Sequence, residues 1–164
     1  MATPENTPRM WAQFLNPDER TLDRLRRGGS DATSLVAVGT AWDTVREGWE
    51  ALAIAPLERG LAALDELGLD LDGEHPVIAD YGRSELLVLV PEGTAARAVD
   101  GGPQGVRALT AGSWLVVPNG PTGVYVAAWL SRPTRFHGRY VDSARLCGAV
   151  LAAEARRREH ARAH

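Results

Sequence analysis

Apolar residues recur at two distinct spacings along this chain, and the helical one is clearest after Pro56. There Leu57, Leu61, Leu64 and Leu67 fall on one face before Gly68, which predicts a helix with a leucine stripe turned to the core. Asn16-Pro17-Asp18-Glu19 predicts an earlier helix start. Asn16 would serve as N-cap, Pro17 as first residue and Glu19 at the capping-box position, with an end near Gly28-Gly29. Trp11, Phe14 and Leu15 make a short apolar cluster just before it. A last helix is predicted to open at Asp142 and to bury Leu146, Cys147, Val150 and Leu151, becoming wholly polar beyond Ala155.

Between these helices the pattern shortens to strands. Ser34 to Val38 is one, and Thr44 to Trp49 is a weaker one broken by Gly48. Pro76 to Asp80 and Ser84 to Val90 flank Tyr81-Gly82-Arg83 as a hairpin that closes at Pro91-Glu92-Gly93. The block Gly105 to Leu130 carries the densest β signal. Val106 to Leu109 is expected to pair with Trp114 to Val117 around Ala111-Gly112, and Val124 to Leu130 to complete a meander through the turn Asn119-Gly120-Pro121-Thr122-Gly123. The expected architecture is α+β: a mostly antiparallel sheet with flanking N-terminal, central and C-terminal helices.

Composition narrows the class further. A chain of 164 residues fits one domain, expected over 9–155, with a polar, disordered stretch at 1–8 and a basic helix end or tail at 156–164. No apolar run approaches the ~20 residues of a membrane span, and the first residues lack the charged and apolar regions of an export signal, so no membrane association and a cytoplasmic location are expected. Cys147 is the single cysteine and reads as a packed thiol. All 18 basic residues are arginine against 21 acidic ones, a net charge of -3, which is the wrong sign for gripping nucleic acid with the whole surface. Local clusters at Arg24, Arg26 and Arg27 and at Arg156 to Arg162 read as solvated helix ends.

Candidate chemistry is sparse. His75, His137, His160 and His164 are scattered, Asp70-Leu71-Asp72-Gly73-Glu74 lacks the full pattern of a calcium loop, and neither a nucleophile elbow nor a lysine-bearing phosphate loop exists. No metal and no cofactor are expected. Of five tryptophans, Trp114 and Trp129 sit in apolar runs and read as core. Trp42 and Trp49 flank Asp43, Arg46 and Glu47, a mixed stretch that reads as the best local candidate for a cleft.

Several segments, taken in order, resemble the N-terminal primase-polymerase domain of bacterial bifunctional DNA primase/polymerase proteins. They are Val38 to Val45, Pro56 to Leu61, Gly82 to Pro91, Gly105-Val106-Arg107, Gly112 to Pro118, Trp129-Leu130 and Val141 to Leu146. The resemblance spans roughly 34–155. It implies acidic side chains on one sheet that hold divalent metals, and a histidine on a neighbouring strand that positions nucleotide phosphates. Here Asp43 falls near the first acidic position but Val45 occupies the second, Ser84 or Leu86 takes the histidine position, and Arg107 and Ala108 stand where another acid is implied. A lone carboxylate cannot hold two metals.

The reading is therefore a catalytically inactive primase-polymerase-like domain, binding a nucleic acid or nucleotide in a replication or regulatory setting through Arg46, Arg83, Arg107, Trp42 and Asp43. Two alternatives stand beside it. One is a protein-interaction or regulatory module with no nucleic-acid role, and the other an unrelated enzyme using Asp43, Glu47 or His137 in a cleft.

Overall fold

The computed structural model describes residues 10–134 and 139–163; the expected disordered stretch 1–8, the loop residues Phe136, His137 and Gly138, and the terminal His164 lie outside them. The described residues form four α-helices: α1 Glu19–Arg27, α2 Leu57–Leu67, α3 Ala95–Val99 and α4 Ser143–Ala163. Eight strands join them: β1 Thr33–Ala37, β2 Trp49–Ile54, β3 Val77–Asp80, β4 Glu85–Pro91, β5 Val106–Leu109, β6 Trp114–Pro118, β7 Gly123–Val124 and β8 Ala127–Ser131. Six form one sheet in the order β5-β2-β4-β3-β8-β7, while β1 and β6 form a separate two-stranded ribbon. Every pairing is antiparallel, so the fold is α+β with a mostly antiparallel sheet.

The central helix forms where the leucine stripe places it. Gly68 ends α2 in the left-handed region at φ 71, which a residue without a side chain adopts at no steric cost. Leu57, Leu61 and Leu64 pack with Leu146, Cys147 and Val150 of α4 on one sheet face, against Leu52, Ile54, Val77, Leu86 and Val88. Each such leucine contributes roughly 1.5–3 kcal/mol by burial. On the opposite face, Ala51, Ala53, Ile78, Leu87 and Leu89 lie under Val38, Trp42, Val45 and Val117, brought there by the ribbon and the chain that follows β1.

Four local expectations are corrected. The N-cap of α1 is Asp18, not Asn16: its carboxylate accepts the Thr21 N–H at 2.8 Å, while Asn16 ends the preceding 3-10 turn Trp11–Leu15. The weak strand at Thr44 to Trp49 is a turn, and the real strand begins where it was expected to end. That strand, β2, is buried at all six positions because both of its faces are covered, so its sequence shows no alternation. Within it Glu50 is buried, its carboxylate accepting the Ala95 N–H that opens the unexpected α3. Lastly, Val106 to Leu109 pairs with β2 and Trp114 to Val117 with β1, so the two do not form a hairpin. The turn at Asn119 also fails to pair its flanking strands. Its side chain instead donates to the Asp31 and Thr33 carbonyls and ties the ribbon together.

Candidate functional site

The residues expected to act together fall at two separate places. Trp42, Asp43 and Arg46 occupy the turn between β1 and β2, where Trp42 and Val45 exchange backbone hydrogen bonds at 3.1 and 2.8 Å. Trp42 stacks on Trp129 at 5.8 Å, meets Trp49 edge-on at 5.3 Å, and donates its indole N–H to the Pro118 carbonyl. With Trp42 8% and Trp49 0% exposed, the two rings are core and no cleft opens between them. Asp43 adopts a left-handed φ of 48, and both its carboxylate oxygens accept from one Arg132 nitrogen at 2.8 Å. Arg46 is exposed, and its carbonyl accepts the Tyr140 hydroxyl at 3.1 Å.

Arg83 and Arg107 are brought together elsewhere. Directly opposed residues in antiparallel strands project to the same face, so the register lines Arg107, Ala53, Leu87, Ile78 and Trp129 across one face of the sheet. Leu109, Ala51 and Leu89 form the next row. Among the paired positions of the described strands, carboxylates stand on this face only at one end, where Asp80 and Glu85 lie opposite each other beside the β3–β4 turn. Glu85 accepts from Arg107 at 2.8 Å, and Asp80 caps the turn by accepting the Arg83 N–H at 2.9 Å.

Between this face and the ribbon runs a groove of about 450 Å³, floored by Leu87 and Leu109 and flanked by Arg83, Arg107, Asp80 and Glu85. Its other wall is the ribbon. Because Leu35 opposes Val116 and Ala37 opposes Trp114, these side chains share the ribbon's outward face. Leu35 and Trp114 are each 63% exposed, Val116 44%, and Val126 from the β7–β8 turn 46%. Trp114 is thus the opposite of the expected core tryptophan. The run Trp-Leu-Val-Val-Pro is apolar on both faces, so only the pairing with β1 decides which face meets water.

The positions that the resemblance points to are accounted for by packing. Val45 is core, Leu86 lies on the helix-covered face, and the Ser84 hydroxyl accepts the Leu57 N–H at the start of α2. Ala108 lies on that same helix-covered face. Among the described residues, no group of three or more His, Cys, Asp or Glu side chains converges to hold a metal. Cys147 is buried, which pushes its thiol above the ordinary range. His75 Nδ1 meets the Arg139 carbonyl at 2.8 Å, and Glu47 is exposed. Of the basic tail, Arg156 pairs with Glu66 and Arg157 with Glu58, so α4 continues as a helix laced to α2. No described helix is long and apolar enough to cross a membrane. Comparisons with protein-family models, curated proteins and solved structures returned no match for this chain.

Proposed function

We propose that this chain is a primase-polymerase-like domain without phosphoryl-transfer chemistry that works as a protein-interaction module, with the groove beside β6 as its docking site. The observation that carries this reading is the exposed apolar wall of Leu35, Trp114, Val116 and Val126 over an apolar floor. A contiguous patch of this kind, rimmed by polar residues, marks an interaction surface. The charges at its rim favour a protein over a polyanion, because Glu85 neutralises Arg107 and Asp80 adds a second negative charge beside Arg83. The absence of chemistry is supported by the central row of Ala53, Leu87, Ile78 and Trp129, apolar across the middle of the sheet, and by Asp43 being tied to Arg132.

A second reading keeps one observation in its favour. Trp114 presents its ring to solvent in the groove that also holds Arg83 and Arg107, a stacking surface next to two cations, which would suit single-stranded nucleic acid.

The test is affinity purification from the native host after nuclease treatment, with wild type and Trp114→Asp, followed by titration of the identified partner. A stoichiometric protein that survives nuclease and binds Trp114→Asp at least about 30-fold more weakly is expected, the size of an interface hot spot. If instead labelled oligothymidine binds at low salt, and Arg83→Glu removes that binding, the nucleic-acid reading replaces it.

A further inference from the structure

We propose that the groove receives an extended peptide that adds to β6 as a third strand of the ribbon, which names the manner of docking and rests on the protein-interaction reading above. The backbone register carries it. Val38 donates to the Ser113 carbonyl and Asn119 to the Ala32 carbonyl, which fixes the hydrogen-bonded pairs of the ribbon at alternate residues. Leu115 and Val117 therefore point their N–H and C=O groups at β1. Those of Trp114 and Val116 point the other way.

Pro118 confirms the direction. Its missing N–H falls on the outward edge, where no ladder bond is lost, and its carbonyl on that edge accepts the Trp42 indole N–H. Closer to the strand start, no second strand among the described residues covers the edge, since there β6 is bonded to β1 alone. Three consecutive residues, Trp114, Leu115 and Val116, line the groove. Consecutive strand residues project to opposite faces, so a cavity touching all three is bordered by the strand's edge.

An open edge without charge, proline or bulge between Trp114 and Val117 is a template for another strand. Main-chain hydrogen bonds would supply affinity and the groove's apolar lining would select alternate side chains of the incoming segment. The lining also sets its charge. Arg107 is satisfied by Glu85, whereas Arg83, which also lines the groove, has no carboxylate partner among the described residues. The occupant is an extended segment with apolar residues at alternate positions and a carboxylate that reaches Arg83.

The experiment is selection of a displayed library of unconstrained 12-residue peptides on the full chain, then fluorescence anisotropy with the enriched sequence. Enriched peptides should alternate apolar residues and carry an acid. Val116→Pro removes one outward N–H and no ribbon bond, so it should weaken binding about tenfold, whereas Val116→Ala should weaken it less. N-methylation of alternate peptide residues should weaken binding at least as much, and the Trp114 and Val116 amides should gain exchange protection in the complex. Thermal melts of both variants verify that they fold. Enrichment of helical sequences, failure to enrich any peptide, or indifference to both Val116→Pro and N-methylation would overturn strand addition. A partner that still depends on Trp114 but ignores these changes would leave the groove reading standing and remove only the strand.

Discussion

Replacing Trp114 by serine is predicted to change the stability of the fold little, and replacing Trp42 by alanine to remove a large share of it. Trp114 is 63% exposed and stands opposite the small Ala37 in the ribbon, so its removal should cost less than about 1 kcal/mol, as for other exposed positions. Trp42 is 8% exposed, stacked on Trp129, edge-on to Trp49 and bonded through its indole to Pro118. Truncating a buried aromatic costs roughly 3–5 kcal/mol, and orphaning the Pro118 carbonyl adds about 1 kcal/mol. Against the roughly 5–15 kcal/mol available to an ordinary domain, that loss is a large share of the total. Urea unfolding followed by far-UV circular dichroism reads both variants on one scale, with the denaturant slope checking that the unfolded states are comparable. A Trp114→Ser variant that loses as much as Trp42→Ala would place Trp114 in the core and remove the apolar wall of the groove.

Other consequences are open to direct measurement. Gly60→Ala would put a Cβ 2.7 Å from Leu86 Cβ and 2.8 Å from Leu86 Cδ2, so overpacking of about 1–3 kcal/mol should outweigh the helix-propensity gain and lower the urea midpoint. Millimolar manganese or magnesium is predicted to leave Tm unchanged, since Asp43 is already engaged by Arg132; a Tm that climbs with metal concentration would reveal a site that binds the folded chain. Tyr81, pushed up to about 12 chiefly by burial and then by Tyr125, keeps its phenol protonated in the fold at pH values where the unfolded chain ionises. The fold then binds more protons than the unfolded chain, so its contribution is complete below pH 10 and is lost as pH rises toward 12. Tyr140 and Cys147, also raised by burial, add to that fall. Alkaline melts of Tyr81→Phe should show a shallower decline than wild type, and an unchanged slope would contradict the assignment.

What the sequence makes readable here is what short-range rules control. The α2 stripe, its Gly68 stop, the β3–β4 hairpin and the Asp142 cap of α4 each depend on residues a few positions apart. The ribbon depends on residues about eighty positions apart, since Leu35 acquires its exposure by pairing with Val116. No local pattern in Trp-Leu-Val-Val-Pro tells which face is wet, and the same ambiguity hides β2, buried on both faces. Within the site, Arg83 and Arg107 share a groove, while Trp42 and Asp43 belong to a packed turn. Mixed polarity around Trp42 and Trp49 suggested a cleft because charged neighbours in sequence stand outside while the rings turn inward. Asp18 displaced Asn16 as a cap for a related reason: two capping residues compete, and the preceding 3-10 turn already uses Asn16.

Photo-crosslinking from position 114 in the native host tests most directly whether the groove docks a protein. A benzophenone side chain replaces Trp114 in one strain and Leu151 in another, the latter being an exposed apolar residue on α4 away from the groove. One protein adduct, identified by mass spectrometry, formed from position 114 and absent from position 151, is the predicted result. Adducts to nucleic acid at position 114, or the same adducts from both positions, would contradict it.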